Sequence, residues 1–190
     1  MPEPIPQTLK IAIVGPESTG KSMLSEGLAK HYHSPWVPEY AREYIEQKFD
    51  GRNYNPAEIQ REDITAIAKG QLAAEDRSLA SSPKLLFCDT NLLVCKVWTE
   101  NAFNEPDLFI DSNIANRHYA LTLLCDIDLP WAYDELREHP HLRTFFYDWY
   151  HRLLTDFGFR FVKISGTGNA RLQAAIDAVD SFLTGNAACI

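Results

Sequence analysis

LKIAIVGPESTGKSMLSEGLAKHY (residues 9–32) decides the fold. It runs from an apolar stretch through a glycine-bounded turn into a helical pattern. Leu9, Ile11, Ala12, Ile13 and Val14 read as a buried strand. Leu24, Leu28 and Tyr32 recur at helical spacing, with Ser25, Glu26 and Lys30 on the other side. Between them, Gly15, Gly20, Lys21 and Ser22 fill the four fixed positions of G-x-x-x-x-G-K-[ST]. In a strand-to-helix context the backbone N–H groups of such a turn and of the helix start form one anion site. Gly15, Pro16, Glu17, Ser18, Thr19, Gly20, Lys21, Ser22 and Met23 are therefore expected to hold a nucleotide triphosphate, with Lys21 also catalytic.

Outward from this loop, further apolar runs alternate with helical patterns: SPWVP (34–38), KLLFCD (84–89), YALTLLCDI (119–127) and FRFVKIS (159–165). Five strands separated by helices predict an α/β P-loop NTPase fold, a five-stranded parallel sheet with helices on both faces. A single domain is expected over 9–184, with flexible tails at 1–8 and 185–190. NPAEIQREDITAIAKGQLAAEDRSLA (55–80) reads as one long helix with Asn55 as N-cap and Pro56 at its first position, weakened by Gly70. NAFNEPDLFIDSN (101–113) reads as an irregular region that covers a substrate.

Composition narrows the partners. The chain has 190 residues, 45% apolar and 23% charged, with a formal charge of −8, which argues against a nucleic-acid backbone as main partner. No apolar stretch approaches membrane-spanning length, and the first ten residues lack a signal-peptide pattern, so a cytoplasmic protein is expected. The four cysteines, Cys88, Cys95, Cys125 and Cys189, show no C-x-x-C spacing, and a reduced compartment accounts for them. The H-x-H pairs His31/His33 and His139/His141 read as solvated histidines rather than metal ligands.

Ligands of open parallel sheets bind beyond the carboxyl ends of the strands, and these ends carry the remaining candidates. Asp89 closes LLFCD in the Walker-B manner, beside a Mg²⁺ that Ser22 also binds, although an aspartate capping the next helix also fits the position. Glu39 ends the second strand, where it can accept a proton from an acceptor hydroxyl. Arg42 has two readings, a phosphate contact or an i,i+3 ion pair with Glu39. After the fourth strand, DIDLPWAYDELREHPHLR (126–143) is rich in proline and charge and is expected to form a helical or loop lid, with Arg137 and Arg143 as its catalytic cations. SGTGNAR (165–171) can give backbone contacts to adenine around Asn169, or be a flexible turn. It lacks the arginine spacing of nucleotidylyltransferases, and no H-x-G-H occurs.

GPESTGKS, WVPEYAREYIE, FCDTNLLVCKVWTE and LLCDIDLPWAYDELREHPHLR, in this order, resemble the ribosylnicotinamide kinase domain of the NadR-like proteins over roughly residues 9 to 180. The resemblance implies ATP and Mg²⁺ as cofactors, and transfer of the γ-phosphate to the 5′-hydroxyl of nicotinamide riboside to give nicotinamide mononucleotide. It assigns the phosphate loop to Gly15–Ser22 and the strand-end acids to Glu39 and Asp89. Where relatives commonly read D-T-D, this chain has Asp89-Thr90-Asn91, which alters any contact of the last residue with a cation or ribose hydroxyl. Substrate contacts are expected from Glu39, Tyr40, Arg42, Asp89, Asn91, Trp98 and Trp131. The three aromatics are candidates to face a charged pyridinium, and each has a packing reading as well. Another nucleoside as acceptor, or a P-loop ATPase acting as a switch, are the alternatives. Against the switch, the chain has no [NT]-K-x-D and no D-x-x-G after the third strand.

Overall fold

A computed structural model describes residues 8–185. The expectations for residues 1–7 and 186–190, including Cys189, lie outside them.

The strands are β1 (Leu9–Val14), β2 (Trp36–Val37), β3 (Leu85–Asp89), β4 (Leu121–Cys125) and β5 (Phe161–Ile164). All pair in parallel, in the order β2-β3-β1-β4-β5. Between them run α1 (Lys21–His31), α2 (Tyr40–Phe49), α3 (Arg61–Leu79), α4 (Leu92–Phe103), α5 (Leu108–Asn116), α6 (Arg143–Asp156) and α7 (Gly168–Leu183). The α/β P-loop NTPase architecture is the one expected.

Because side chains alternate across a strand, the near-continuous apolar runs feed two cores. Ala12, Val14, Leu86, Cys88 and Leu124 face α2 to α6, packing with Ile45, Ile64, Leu93, Ile110 and Leu154. Ile11, Ile13, Phe87, Leu121 and Leu123 face α1 and α7, packing with Leu28, Ala175 and Val179. At the amino end of the sheet the fully buried Glu75 accepts hydrogen bonds from Lys10 Nζ (3.0 Å) and Tyr119 Oη (2.6 Å).

Two elements differ from the sequence reading. Asn55 and Pro56 start only a 3-10 turn, Pro56–Glu58, and α3 begins after it, where Gln60 and Asp63 form a capping box. The region 101–113 is not an irregular cover. It holds the end of α4 and the start of α5, whose N-cap Asp107 accepts from Ile110 N at 3.0 Å while Ile110 and Ile114 bury one face.

Candidate functional site

β1 lies between β3 and β4, so the loops leaving β1 and β4 diverge from the middle of the sheet and open a crevice at its carboxyl end. Gly15 (φ 144°) permits the first bend, since a Cβ there would lie 3.0 Å from the Cys125 carbonyl oxygen. Ser18 and Gly20 are left-handed, at φ 58° and 74°. Alternation of hands turns successive N–H groups toward one centre, an anion-binding nest. Gly20 is also the N-cap of α1 and brings no capping side chain, so the first-turn donors of the helix lack a side-chain partner. Lys21 Nζ and Thr19 Oγ1 both donate to the Pro16 carbonyl, at 2.9 and 2.8 Å.

Asp89 is almost fully buried at the end of β3. Burial, with Glu39 nearby, pushes its carboxyl up to about 6, against the opposing effects of the Ser22 hydroxyl bond and the Lys21 and Arg42 charges. Its Oδ1 has no hydrogen-bond partner. An unsatisfied, buried carboxylate oxygen next to a serine hydroxyl is a hard, all-oxygen donor set that fits Mg²⁺. No group of three histidine, cysteine or acidic side chains suited to a metal occurs among the described residues, so such an ion would rely on phosphate oxygens for further ligands.

The phosphate loop continues into a cavity of about 240 Å³, lined on its far side by Glu39, Ala41, Arg42, Ile45, Tyr54, Trp98, Phe146 and Tyr150. Residues 126–142, between β4 and α6, form the third wall through Leu136 to His139. This lid contains no α-helix and is tied to the phosphate loop. Ala132 N donates to Ser18 Oγ at 2.8 Å, and Arg143 donates to Leu129 O at 2.8 Å and Ser18 O at 3.2 Å.

Of the expected site residues, Gly15 to Met23, Glu39, Arg42, Trp98 and Arg137 line this one cavity. Arg42 pairs with Glu39 at 3.6 Å and reaches Asp134 of the lid at 3.1 Å. The structure places the others as follows. Tyr40 does not line the cavity but lies over Gly70, where a Cβ would come within 1.9 Å of its ring, and its backbone N–H donates to Gln71 Oε1 at 2.9 Å. The glycine expected to weaken α3 is the seat of that ring. Asn91 is buried, away from the cavity, as the N-cap of α4, accepting from Leu93 N at 3.0 Å. Asparagine and aspartate cap equally well, which accounts for the departure from D-T-D. Thr90 between Asp89 and Asn91 is left-handed, at φ 72°, rare for a β-branched residue. Trp131 stands outside the cavity, and the two terminal nitrogens of Arg143 donate to the two carbonyls named above while its buried Nε has no partner. Asn169 is exposed in the first turn of α7.

Several contributors were not anticipated. Tyr54 comes from the segment between α2 and the 3-10 turn, which carries no motif. Phe146 and Tyr150 are four residues apart on α6, a spacing that marks one face without saying whether core or cavity lies opposite it. Arg171, 4% exposed, joins the last loop to the phosphate loop: it donates to Asp128 Oδ1 (2.6 Å), Gly166 O (3.0 Å), Thr19 O (3.0 Å) and Asp126 O (3.1 Å). The turn at 165–171, for which flexibility is one of two readings, is thereby stapled.

Comparison with known proteins agrees with the fold. The AAA domain family model matches residues 10–171. The trifunctional NAD biosynthesis/regulator protein NadR of Escherichia coli (strain K12) is 28% identical over 127 residues, which are 67% of this chain and 30% of that protein. A crystal structure of NadR in complex with NR superimposes with a TM-score of 0.77 at 27% identity, and one with NAD and AMP-PNP with 0.76 at 26%. Each covers 96% of this chain but 51% of the NadR chain, so the chain spans about half of those proteins and less of the curated relative. With its phosphate loop at Gly15–Ser22 and a matched span covering nearly the whole sheet, the chain belongs to the AAA domain family.

Proposed function

We propose that this protein is a phosphotransferase that moves the γ-phosphate of ATP to the 5′-hydroxyl of nicotinamide riboside, forming nicotinamide mononucleotide for NAD synthesis. The observation that carries the reading is the continuity of the phosphate loop with a cavity that is both aromatic and acidic. Trp98, Tyr54, Phe146 and Tyr150 offer ring faces, and Glu17, Glu39 and Glu138 offer carboxylates. A nucleoside whose base is a pyridinium cation suits that combination, because ring quadrupoles and carboxylates both favour positive charge. The likeness to NadR, solved with NR and with AMP-PNP, supports the same pair of substrates.

In this reading the N–H groups of the phosphate loop and Lys21 hold the triphosphate and neutralise its charge. Ser22 and Asp89 are the residues that would hold Mg²⁺, whose chemistry when bound is charge neutralisation at the β- and γ-phosphate oxygens. Glu39, beside Asp89 and on the acceptor side of the cavity, orients the 5′-hydroxyl and takes its proton as the oxygen attacks. Arg137 lines the cavity from the lid, with its guanidinium on Ala132 O and near Asp134, and is the cation that would reach the transferring group, while Arg143 holds the lid to Ser18. The lid and the aromatic wall exclude water, which favours transfer to the bound acceptor over hydrolysis.

A panel of nucleosides with ATP and Mg²⁺, followed by ADP release, tests the reading. ADP formation that depends on nicotinamide riboside, and is much slower with uridine or cytidine, is expected. Rapid ADP release without an acceptor would instead indicate a switch ATPase, and a faster reaction with a neutral nucleoside would move the assignment to another kinase.

A further inference from the structure

Glu17 occupies a position of the phosphate loop that the motif leaves open. A carboxylate beside a site for a polyanion opposes binding by like-charge repulsion, so it calls for a compensating partner. That partner is the lid. The Glu17 carboxylate accepts from Glu138 N at 3.1 Å to one oxygen and 3.2 Å to the other, and from His139 N at 3.0 Å. Residues 136–139 all line the cavity in a segment without a helix or a strand; Asp134 accepts from the N–H groups of Leu136 and Arg137, and those of Glu138 and His139 are left to Glu17. Glu138 then extends the connection, because its own carboxylate accepts from Tyr54 Oη at 2.6 Å, across the mouth of the cavity. The His139 ring packs 5.2 Å from Phe146, on the aromatic wall.

We propose that Glu17 is a positioning residue for the acceptor: its carboxylate fixes Glu138 and His139 against the phosphate loop and so assembles one wall of the acceptor pocket. This rests on the kinase reading for the identity of the acceptor. It goes beyond that reading in assigning to a phosphate-loop side chain a role in binding the other substrate. Phosphate-site and acceptor-site functions of the loop are thereby divided, the backbone serving the first and the Glu17 side chain the second.

The consequence is opposite effects on the two substrates. Hydrogen bonds to a charged acceptor are stronger than neutral ones, and losing this pair raises the KM for nicotinamide riboside by about 10- to 100-fold in Glu17→Ala. Affinity for AMP-PNP in the same variant is held or increases, because a negative charge near the phosphates is gone. Glu17→Gln keeps one carbonyl oxygen as acceptor and falls between wild type and Glu17→Ala. Hydrogen exchange at the amides of Glu138 and His139 in the protein without substrate supplies a readout independent of turnover: both amides exchange faster in Glu17→Ala, with Glu17→Gln intermediate. Unchanged exchange at these two amides, in whichever of the two variants folds, overturns the proposal whether or not the wild type phosphorylates nicotinamide riboside. So does a loss of AMP-PNP affinity in step with the rise in KM, which would mean that Glu17 only maintains the phosphate loop. Faster exchange in a protein whose wild type turns over no nucleoside contradicts the kinase reading and leaves the lid contact standing.

Discussion

Gly70→Ala sets two rules against each other. Alanine is favoured over glycine inside a helix by about 1 kcal/mol, so propensity alone predicts a more stable protein. Yet a Cβ at position 70 would lie 1.9 Å from Tyr40 Cε1, 2.2 Å from Cδ1 and 2.5 Å from Cζ, distances that no packed carbon tolerates. The ring must leave its seat, and overpacking of this kind costs about 1–3 kcal/mol. The net expectation is destabilisation of about 0–2 kcal/mol. Tyr40 is the first residue of α2, its N–H is held by Gln71, and Glu39 precedes it directly. Displacing this helix start moves the proposed proton acceptor, and a shift of ~1 Å at a reacting group costs about 10²-fold in kcat. A double-mutant cycle isolates the clash: in a Tyr40→Ala background Gly70→Ala has no ring to displace and stabilises by about 1 kcal/mol, giving a coupling energy of about 1–3 kcal/mol. Urea unfolding measures the cycle and steady-state turnover measures kcat. If Gly70→Ala adds about 1 kcal/mol in both backgrounds and leaves kcat intact, the packing of Tyr40 on α3 does not position Glu39.

Glu75→Ala leaves Lys10 and Tyr119 buried without their partner and should cost about 3–5 kcal/mol of stability, read from the urea midpoint; Lys10→Met in the same chain should recover part of the loss. At Asp63, burial opposes ionisation, but Lys48, the Gln60 N–H and Tyr44 together outweigh it and hold the carboxyl below its ordinary range. Its contribution is thus complete above about pH 4 and is lost as pH falls through the lowered value. The stability difference between wild type and Asp63→Asn should therefore be largest near neutrality and shrink in acid. Asp89→Asn should raise the Mg²⁺ concentration needed for half-maximal turnover; an unchanged Mg²⁺ titration would make Asp89 a structural residue.

What was legible in the sequence is what neighbouring residues determine. The apolar run into GPESTGKS, the five strands and the acids at their ends follow from local periodicity and from turn chemistry. The helix α5 was missed because Pro106 and Asp107 read as a loop signal, although an aspartate three residues before Ile110 is also an N-cap. Tyr40, next to Glu39, and Trp98, on the helix that follows Asp89, are both aromatics with a cavity reading and a packing reading. Only the crossing of α2 over α3 turns one toward Gly70 and leaves the other on the cavity. Arg171 and Glu17 act on residues more than a hundred positions away, on Thr19 and on Glu138, so no window of sequence contains the interaction.

The proposed transfer is tested most directly by following the γ-phosphorus itself. With γ-labelled ATP, Mg²⁺ and nicotinamide riboside, the reading predicts that the label appears on the 5′-oxygen of nicotinamide mononucleotide in equal amount to the ADP formed. Lys21→Ala, folded by circular dichroism, should lower that rate by about 10²–10³-fold. Label recovered as inorganic phosphate at the same rate with and without the nucleoside would contradict the transfer.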